Sequence, residues 1–277
     1  MPERRLFMRL TATNYYTEKA NQEFFSVSQF KHFQKCPAAA MAALKGEWSP
    51  ERGRALLLGS YVDEYLLGTP ESLKQFIKDN YNELYKKTGD PYADVAQAEE
   101  AIQRIRNQPL MLKYLYGDHQ KIMTGEIAGV PFKIKMDCYK EGEFISDLKY
   151  MASLRSPNMF EPMVKYWGYD IQAAVYQEVV YQNTGKRLPF IFVVATKEKP
   201  CRCEVGEISQ YNMDEALDVV KANAPRFQQM KKGEMKAVRC EDYNCDYCTT
   251  TRIITEPIDT DLFGMSAKQI KSIGGVL

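Results

Sequence analysis

The sequence predicts an α/β sandwich in which helices flank a mixed β-sheet. Three observations carry this expectation. The chain is long and apolar enough for a full core, with 277 residues of which 45% are hydrophobic. Its N-terminal part places apolar residues at helical spacing, whereas the stretch opening at Lys121 changes to short apolar runs separated by glycine turns. Helices then separate two groups of strands, an order that gives a mixed sheet covered by helices rather than a simple meander.

Residues 1–25 read as an extended leader. "SVSQFKHFQKCPAAAMAALKG" reads as one helix: Ser28 fits the N-cap, Phe30 and Phe33 share a face, and Gly46 suits the C-terminus. "ERGRALLLGSYVDEYLLG" repeats the pattern with a stripe of Leu57, Tyr61 and Tyr65. Two further helices are expected over 71–87 and 93–108, and a short one over 109–116. "KIMTGEIAGVPFKIKMDCY" and "EFISDLKY" predict consecutive antiparallel strands that turn at Ala128-Gly129 and Glu141-Gly142. A helix over 155–165 and a long one in "GYDIQAAVYQEVVYQNTG" follow. "PFIFVVATKEKPCRCEVGEI" gives a strand pair with a turn at Pro200, and "MDEALDVVKANAPRFQQMKKG" a last long helix partly broken by Pro225. No repeat or low-complexity linker interrupts the chain. Residues 26–239 therefore read as one catalytic domain with a helical N-terminal part, and 240–277 as a cysteine-containing tail packed on it.

Composition narrows the chemistry. A net charge of +1 announces no polyanion partner, although a local groove can be basic on a neutral protein. Only His32 and His119 are present, which excludes multi-histidine metal sites, and the nucleophile-elbow pattern GxSxG is absent. Any metal chemistry must run on carboxylates or cysteines. No signal peptide or membrane span is visible, so a soluble cytoplasmic protein is expected. Seven cysteines in such a chain argue for thiols or a metal site rather than disulfides.

The strand "FISDLKY" carries the main anomaly. Asp147 and Lys149 interrupt an apolar run, and strand alternation points both the same way with Leu148 opposite. Buried without partners, the two charges would cost several kcal/mol. The hairpin through "CYKEGEF" brings Asp137, which reads as the end of the preceding strand, across from this charged face. Two carboxylates and a lysine converging in this way fit a hard divalent cation, Mg²⁺ or Mn²⁺, with the carbonyl of Leu148 as a further ligand. Lys149 would then orient or help deprotonate an attacking water. The alternative is a structural salt bridge on a half-exposed strand, since D-x-K is a common tripeptide.

The array Asp137-x9-Asp147-x-Lys149 resembles the core of the PD-(D/E)XK nuclease superfamily. More specifically, it is similar to phage-encoded exonucleases related to exodeoxyribonuclease VIII. The stretches 24–37, 55–70, 124–137 and 169–177 share that resemblance. The resemblance implies a restriction-endonuclease-like fold with a central mixed sheet. It also implies a Mg²⁺- or Mn²⁺-dependent exodeoxyribonuclease acting on linear duplex or single-strand DNA ends in phage or prophage recombination, with a single-strand annealing protein as partner. A catalytically silent DNA-binding recombination protein and a restriction-like endonuclease are the rival readings. In the relatives a Q-x-x-x-Y element lies beside the active site, which carries over to Gln172 and Tyr176, four apart on one helical face. Where relatives place a histidine four residues after the helix glycine, this chain has Asp63 after Gly59. Asp63 is therefore a candidate metal ligand, with Glu64 turned elsewhere on the helix and Glu126 as a fallback acid.

"RCEDYNCDYC" sets Cys240, Cys245 and Cys248 within nine residues, and Cys36 is the candidate fourth ligand. An early cysteine paired with three late ones resembles CRISPR-associated and helicase-linked nucleases that hold a [4Fe–4S] cluster. Zn²⁺ and free thiols are the alternatives. Cys201 and Cys203 are expected to share a strand face without binding metal, and Cys138 to be buried. Lys31, Lys35, Lys186, Arg187, Lys197, Lys199, Lys231 and Lys232 are candidate groove residues for DNA phosphate, none of them singled out. The tyrosines are read mainly as core, with stacking on unpaired bases as the functional alternative.

Overall fold

The computed structural model describes residues 8–50, 53–240 and 244–255. In chain order the first elements are α1 (Glu18–Glu23), α2 (Val27–Lys35), α3 (Pro37–Leu44), α4 (Arg54–Leu67) and α5 (Pro70–Asp79). They continue as α6 (Tyr81–Leu84), α7 (Ala93–Arg106) and α8 (Pro109–Tyr114). Strands β1 (Asp118–Ile127), β2 (Val130–Lys140) and β3 (Phe144–Met151) follow, then a 3-10 turn at Pro157–Met159, α9 (Phe160–Tyr166) and α10 (Tyr169–Thr184). The last are β4 (Phe190–Thr196), β5 (Cys203–Glu207), α11 (Gln210–Lys231) and α12 (Asp246–Thr251). Among the described residues no helix is long and apolar enough to cross a membrane.

The described strands form one mixed sheet in the order β1-β2-β3-β4-β5, antiparallel except where β3 runs parallel to β4. That parallel pair requires the crossover through α9 and α10. The sheet divides the interior into two apolar layers. One contains Phe30, Phe33, Phe132, Ile134, Val179, Phe192 and Phe227, against α2, α10 and α11. The other packs Leu57, Tyr61, Val62, Val95 and Ile102 of α4 and α7 against Leu148, Val193 and Ala195. Each fully buried side chain of this size contributes roughly 1.5–3 kcal/mol.

The structure differs from the sequence reading in several places. The leader is not extended: α1 forms within it, and Phe24 and Phe25 are completely buried, with Phe25 bridging to Phe132 of β2. The expected helix over 26–46 divides at Cys36-Pro37, because proline offers no N–H and disfavours a helical residue before it. Its N-cap is Ser26, whose hydroxyl accepts the Gln29 N–H at 3.2 Å, rather than Ser28. The expected 71–87 helix likewise ends at Asp79, and α6 follows as one turn. The helix expected over 155–165 opens late, behind the 3-10 turn. Helix α11 runs unbroken through Pro225. The carbonyl that the proline leaves unbonded, on Lys221, lies at an exposed position where water can serve it.

Two buried lysines fasten the N-terminal segment to the sheet. Lys133 donates to the Tyr15 carbonyl and to Asn21 Oδ1, the latter at 2.7 Å. Lys231 donates to the Phe24 carbonyl at 2.8 Å and to Gln29 Oε1 at 3.0 Å. Burial pushes Lys133 down to about 8, and burial together with the neighbouring Lys133 charge pushes Lys231 down to about 7. Lys231 is thus an internal strut and not the groove residue expected from the sequence.

Candidate active site

The site forms where β2 and β3 separate. Their ladder covers only Cys138↔Ser146 to Lys140↔Phe144, so beyond Cys138 the two strands part. Asp137 stands at this fork, three residues before the strand end rather than on it, and its Oδ2 accepts the Leu148 N–H at 3.1 Å. A carboxylate thus replaces the ladder bond that β2 no longer provides. In a strand the N–H and C=O of one residue point to the same edge, so the Leu148 carbonyl faces this fork too. Leu148's own side chain lies in the α4/α7 layer, as alternation requires.

Asp147 and Lys149 share the other face and form an ion pair, with Asp147 only 2% exposed. Three acids surround that one lysine. Burial drives Asp137 well above the usual carboxylate range, reinforced by the charges of Asp147 and Asp63. Asp63, brought in by α4, is pushed up to about 7, first by burial and then by Asp147 and Glu64 against the opposing pull of Lys149. For Lys149 burial acts downward, but Asp147 and Asp137 outweigh it and hold the ammonium above its ordinary value. Three carboxyls thus face one lysine, and without a cation the fold favours the protonated forms of Asp137 and Asp63. Concentrated carboxylates in a partly buried cleft are the donor set of a hard divalent cation, and Asp63, Asp137, Asp147 and the Leu148 carbonyl fit one.

Helix α10 closes the site. Gln172 donates to Asp147 Oδ1 at 2.5 Å, which fixes the carboxylate's orientation. One turn later Tyr176 donates its hydroxyl to the Lys135 carbonyl at 3.1 Å, tying α10 to β2 just before Asp137. Three further residues also meet here, of which the sequence offered only Lys31, as one of several candidate phosphate contacts. The Tyr169 ring lies beneath Lys149 Nζ at 4.9 Å and beneath Lys31 Nζ at 5.4 Å. Lys135, on the same strand face as Asp137, contributes a positive charge toward Asp63. Strand alternation from Asp137 points to Lys135, and the three-residue spacing from Gln172 points to Tyr169; Lys31 is brought in only by the tertiary fold.

Other expectations fall away from the site. Glu64 accepts from Ser72 Oγ at 2.7 Å, and Glu126 is exposed at the β1 end, where its backbone pairs with Gln182. Arg187 pairs with Glu178 at 3.2 Å, and Lys197 lies over the Tyr150 ring at 5.3 Å. Lys35, Lys186, Lys199 and Lys232 are exposed without a tie to the acids. Cys138 is buried as expected. Cys203 opens β5 whereas Cys201 precedes it, so the two do not lie on one strand, and the Cys201 thiol donates to the Arg202 carbonyl at 3.6 Å.

A second cluster lies at the α2–α3 junction. Cys36, Cys240, Cys245 and Cys248 bring their sulfurs within 4.8 Å of one another. Cys36 and Cys248 approach to 3.6 Å, and the Cys248 N–H donates to Cys245 Sγ at 3.4 Å. Trp48, Tyr247 and Ala38 cover the group. The described residues of the tail, 240 and 244–255, thus pack on the core through Cys240 and α12; residues 241–243 and 256–277 lie outside the described residues.

Comparison with known proteins agrees with this fold. Residues 26–251 match the family described as "PDDEXK-like domain of unknown function (DUF3799)". The chain is also similar to a crystal structure from Eubacterium rectale described as a "Putative exonuclease". The two are 42% identical with a TM-score of 0.85, over 94% of this chain and 100% of that one. No curated protein matches the chain.

Proposed function

Because this chain belongs to the PDDEXK-like family over most of its length, we propose that it is a metal-dependent deoxyribonuclease working as an exonuclease on DNA ends. The observation that carries the reading is the buried cluster of Asp63, Asp137, Asp147 and Lys149 at the β2–β3 fork. Asp137 and Asp147, with Asp63 and the Leu148 carbonyl, would hold Mg²⁺ or Mn²⁺. Such a cation polarises the phosphodiester and neutralises the charge that develops on it. Lys149 orients the attacking water and adds its positive charge beside the phosphate. Gln172 and Tyr176 act as positioning residues, one through Asp147 and the other through the β2 backbone. Asp63 supplies the carboxylate where the related exonucleases have a histidine. The resemblance to phage exonucleases supports a role in recombination, upstream of a single-strand annealing protein.

The four cysteines form the structural metal centre of this reading, which joins α2 to the tail across more than two hundred residues of chain. Closing so long a loop removes conformational freedom from the unfolded state. The resemblance points to [4Fe–4S]. The sulfur spacing favours one tetrahedral ion such as Zn²⁺, whose roughly 2.3 Å bonds set sulfurs about 3.8 Å apart. A brown protein absorbing near roughly 400 nm indicates the iron–sulfur cluster, and a colourless zinc-containing one indicates zinc.

The activity is tested with Mn²⁺ on linear DNA, comparing wild type with Asp147→Ala and running a covalently closed circle alongside. Loss of linear DNA with wild type alone supports the assignment. Cutting of the closed circle would convert it to an endonuclease. Equal activity in both proteins would remove the reaction from this site, and none in either would leave a DNA-binding protein with a silent fold.

A further inference from the structure

The fold leaves an aromatic pair unburied at the rim of the acid cluster. Tyr166 and Trp167 are 79% and 49% exposed, with rings edge to face at 5.0 Å. They end α9 directly before the turn into α10, where Gly168 takes a left-handed φ of +61°. A side chain at Gly168 would press on Lys31, whose Nζ donates to the Trp167 carbonyl at 2.5 Å. That same Lys31 shares the Tyr169 ring with Lys149. The exposed pair is therefore fixed, through one lysine and one ring, to the residue paired with Asp147. On the β2 side the cluster is bordered by a similar arrangement. Tyr16, 67% exposed, lies edge to face on Tyr15, with Lys135 Nζ 4.6 Å above its ring.

Apolar rings held in water are costly unless something covers them, and lysine beside each ring selects what that is. Along a duplex the base faces are already stacked, so phosphates and base edges are available to a protein surface but not the faces that a ring would stack on. An unpaired strand offers both a phosphate for each lysine and a base face for each ring. We propose, building on the nuclease reading above, that the site takes its substrate strand unpaired, with bases stacked on Tyr166–Trp167 on one side of the acids and on Tyr16 on the other, and phosphates at Lys31 and Lys135.

The test uses the full chain in EDTA, where binding is read without cleavage. Fluorescein-labelled (dT)15 and a blunt hairpin duplex are titrated by anisotropy with wild type, Tyr166→Ala/Trp167→Ala, Tyr16→Ala and the control Tyr81→Ala, an exposed ring of α6 that stacks on Tyr85. Thermal melts confirm that each variant is folded. Loss of stacking weakens (dT)15 binding roughly tenfold or more in the double variant, with duplex binding and the control unchanged. The chain has two tryptophans, so Trp48→Phe leaves Trp167 as the only reporter, and (dT)15 but not duplex should quench it. Unchanged (dT)15 affinity, an equal loss on duplex, or no quenching overturns the proposal. Variants that bind like wild type beside a wild type that digests DNA refute stacking alone. Stacking with a wild type that never cleaves refutes the hydrolase alone.

Discussion

Asp137→Asn should make the metal-free protein more stable. Asparagine keeps an oxygen for the Leu148 N–H, so the bond across the fork survives the substitution. The change removes one buried negative charge that faces Asp147 and Asp63 and is only partly balanced by Lys149. Like charges about 4 Å apart repel by about 4 kcal/mol at an effective dielectric of about 20. Lys149 cancels much of that, and the charge-assisted share of the hydrogen bond, about 1 kcal/mol, is lost. A net gain of about 1–2 kcal/mol remains, or about 2–6 °C in melting temperature for a chain of this length. The sign depends on pH. The folded-state pKa of Asp137 is raised, so its protonated form is favoured in the fold, and stability is lost as pH rises through that value. The advantage of Asn should therefore grow from pH 5 to 8.5, as measured by melts and urea unfolding in EDTA. Adding Mn²⁺ should reverse the order, because only wild type gains binding energy. An Asp137→Asn protein less stable than wild type at pH 8.5 in EDTA would refute the view that the acids are held under mutual repulsion.

Other substitutions report on neighbouring parts of the structure. Lys149→Met leaves Asp137 and Asp147 without their cation and should cost about 3–5 kcal/mol in EDTA, with part of the loss restored by Mn²⁺ in the same melts. Lys231 titrates near 7 in the fold against 10.5 ordinarily, so the unfolded chain binds the extra proton between these values. Stability should rise with pH across that window, by at most about 5 kcal/mol, and Lys231→Met should flatten the slope in urea titrations at pH 7 to 10. Cys36→Ser should lower both the bound metal per chain and the melting temperature, and chelation of the wild type should reproduce that loss; an unchanged melt with metal absent from both proteins would assign the thiols to packing alone.

Much of the site was readable because strands and helices impose fixed periods. Alternation alone put Asp147 and Lys149 on one face and Leu148 on the other, and the ion pair and the apolar layer occupy those faces. Helical spacing likewise paired Gln172 with Tyr176, though each acts on protein groups, Asp147 and the Lys135 carbonyl. Cysteine spacing singled out the three tail thiols, and the resemblance to iron–sulfur nucleases, not the spacing, pointed to Cys36, which the fold brings beside them. Long-range packing was not readable. Nothing local shows that Lys31 reaches the Trp167 carbonyl, 136 residues away, or that Lys231 crosses to Phe24. The break at Cys36-Pro37 and the burial of Phe24-Phe25 did leave local signals, a proline and an apolar pair. Both were outweighed by the long helical pattern that follows them.

The most direct test is digestion of end-labelled linear DNA by wild type and Asp137→Asn in EDTA, Mg²⁺ and Mn²⁺, on samples whose melting has been compared. Wild type should shorten the DNA only with a divalent cation, and Asp137→Asn should remain intact, more stable without metal, and inactive in every buffer. Cleavage by wild type in EDTA, or undiminished cleavage by Asp137→Asn, would contradict a metal-dependent nuclease site at the β2–β3 fork.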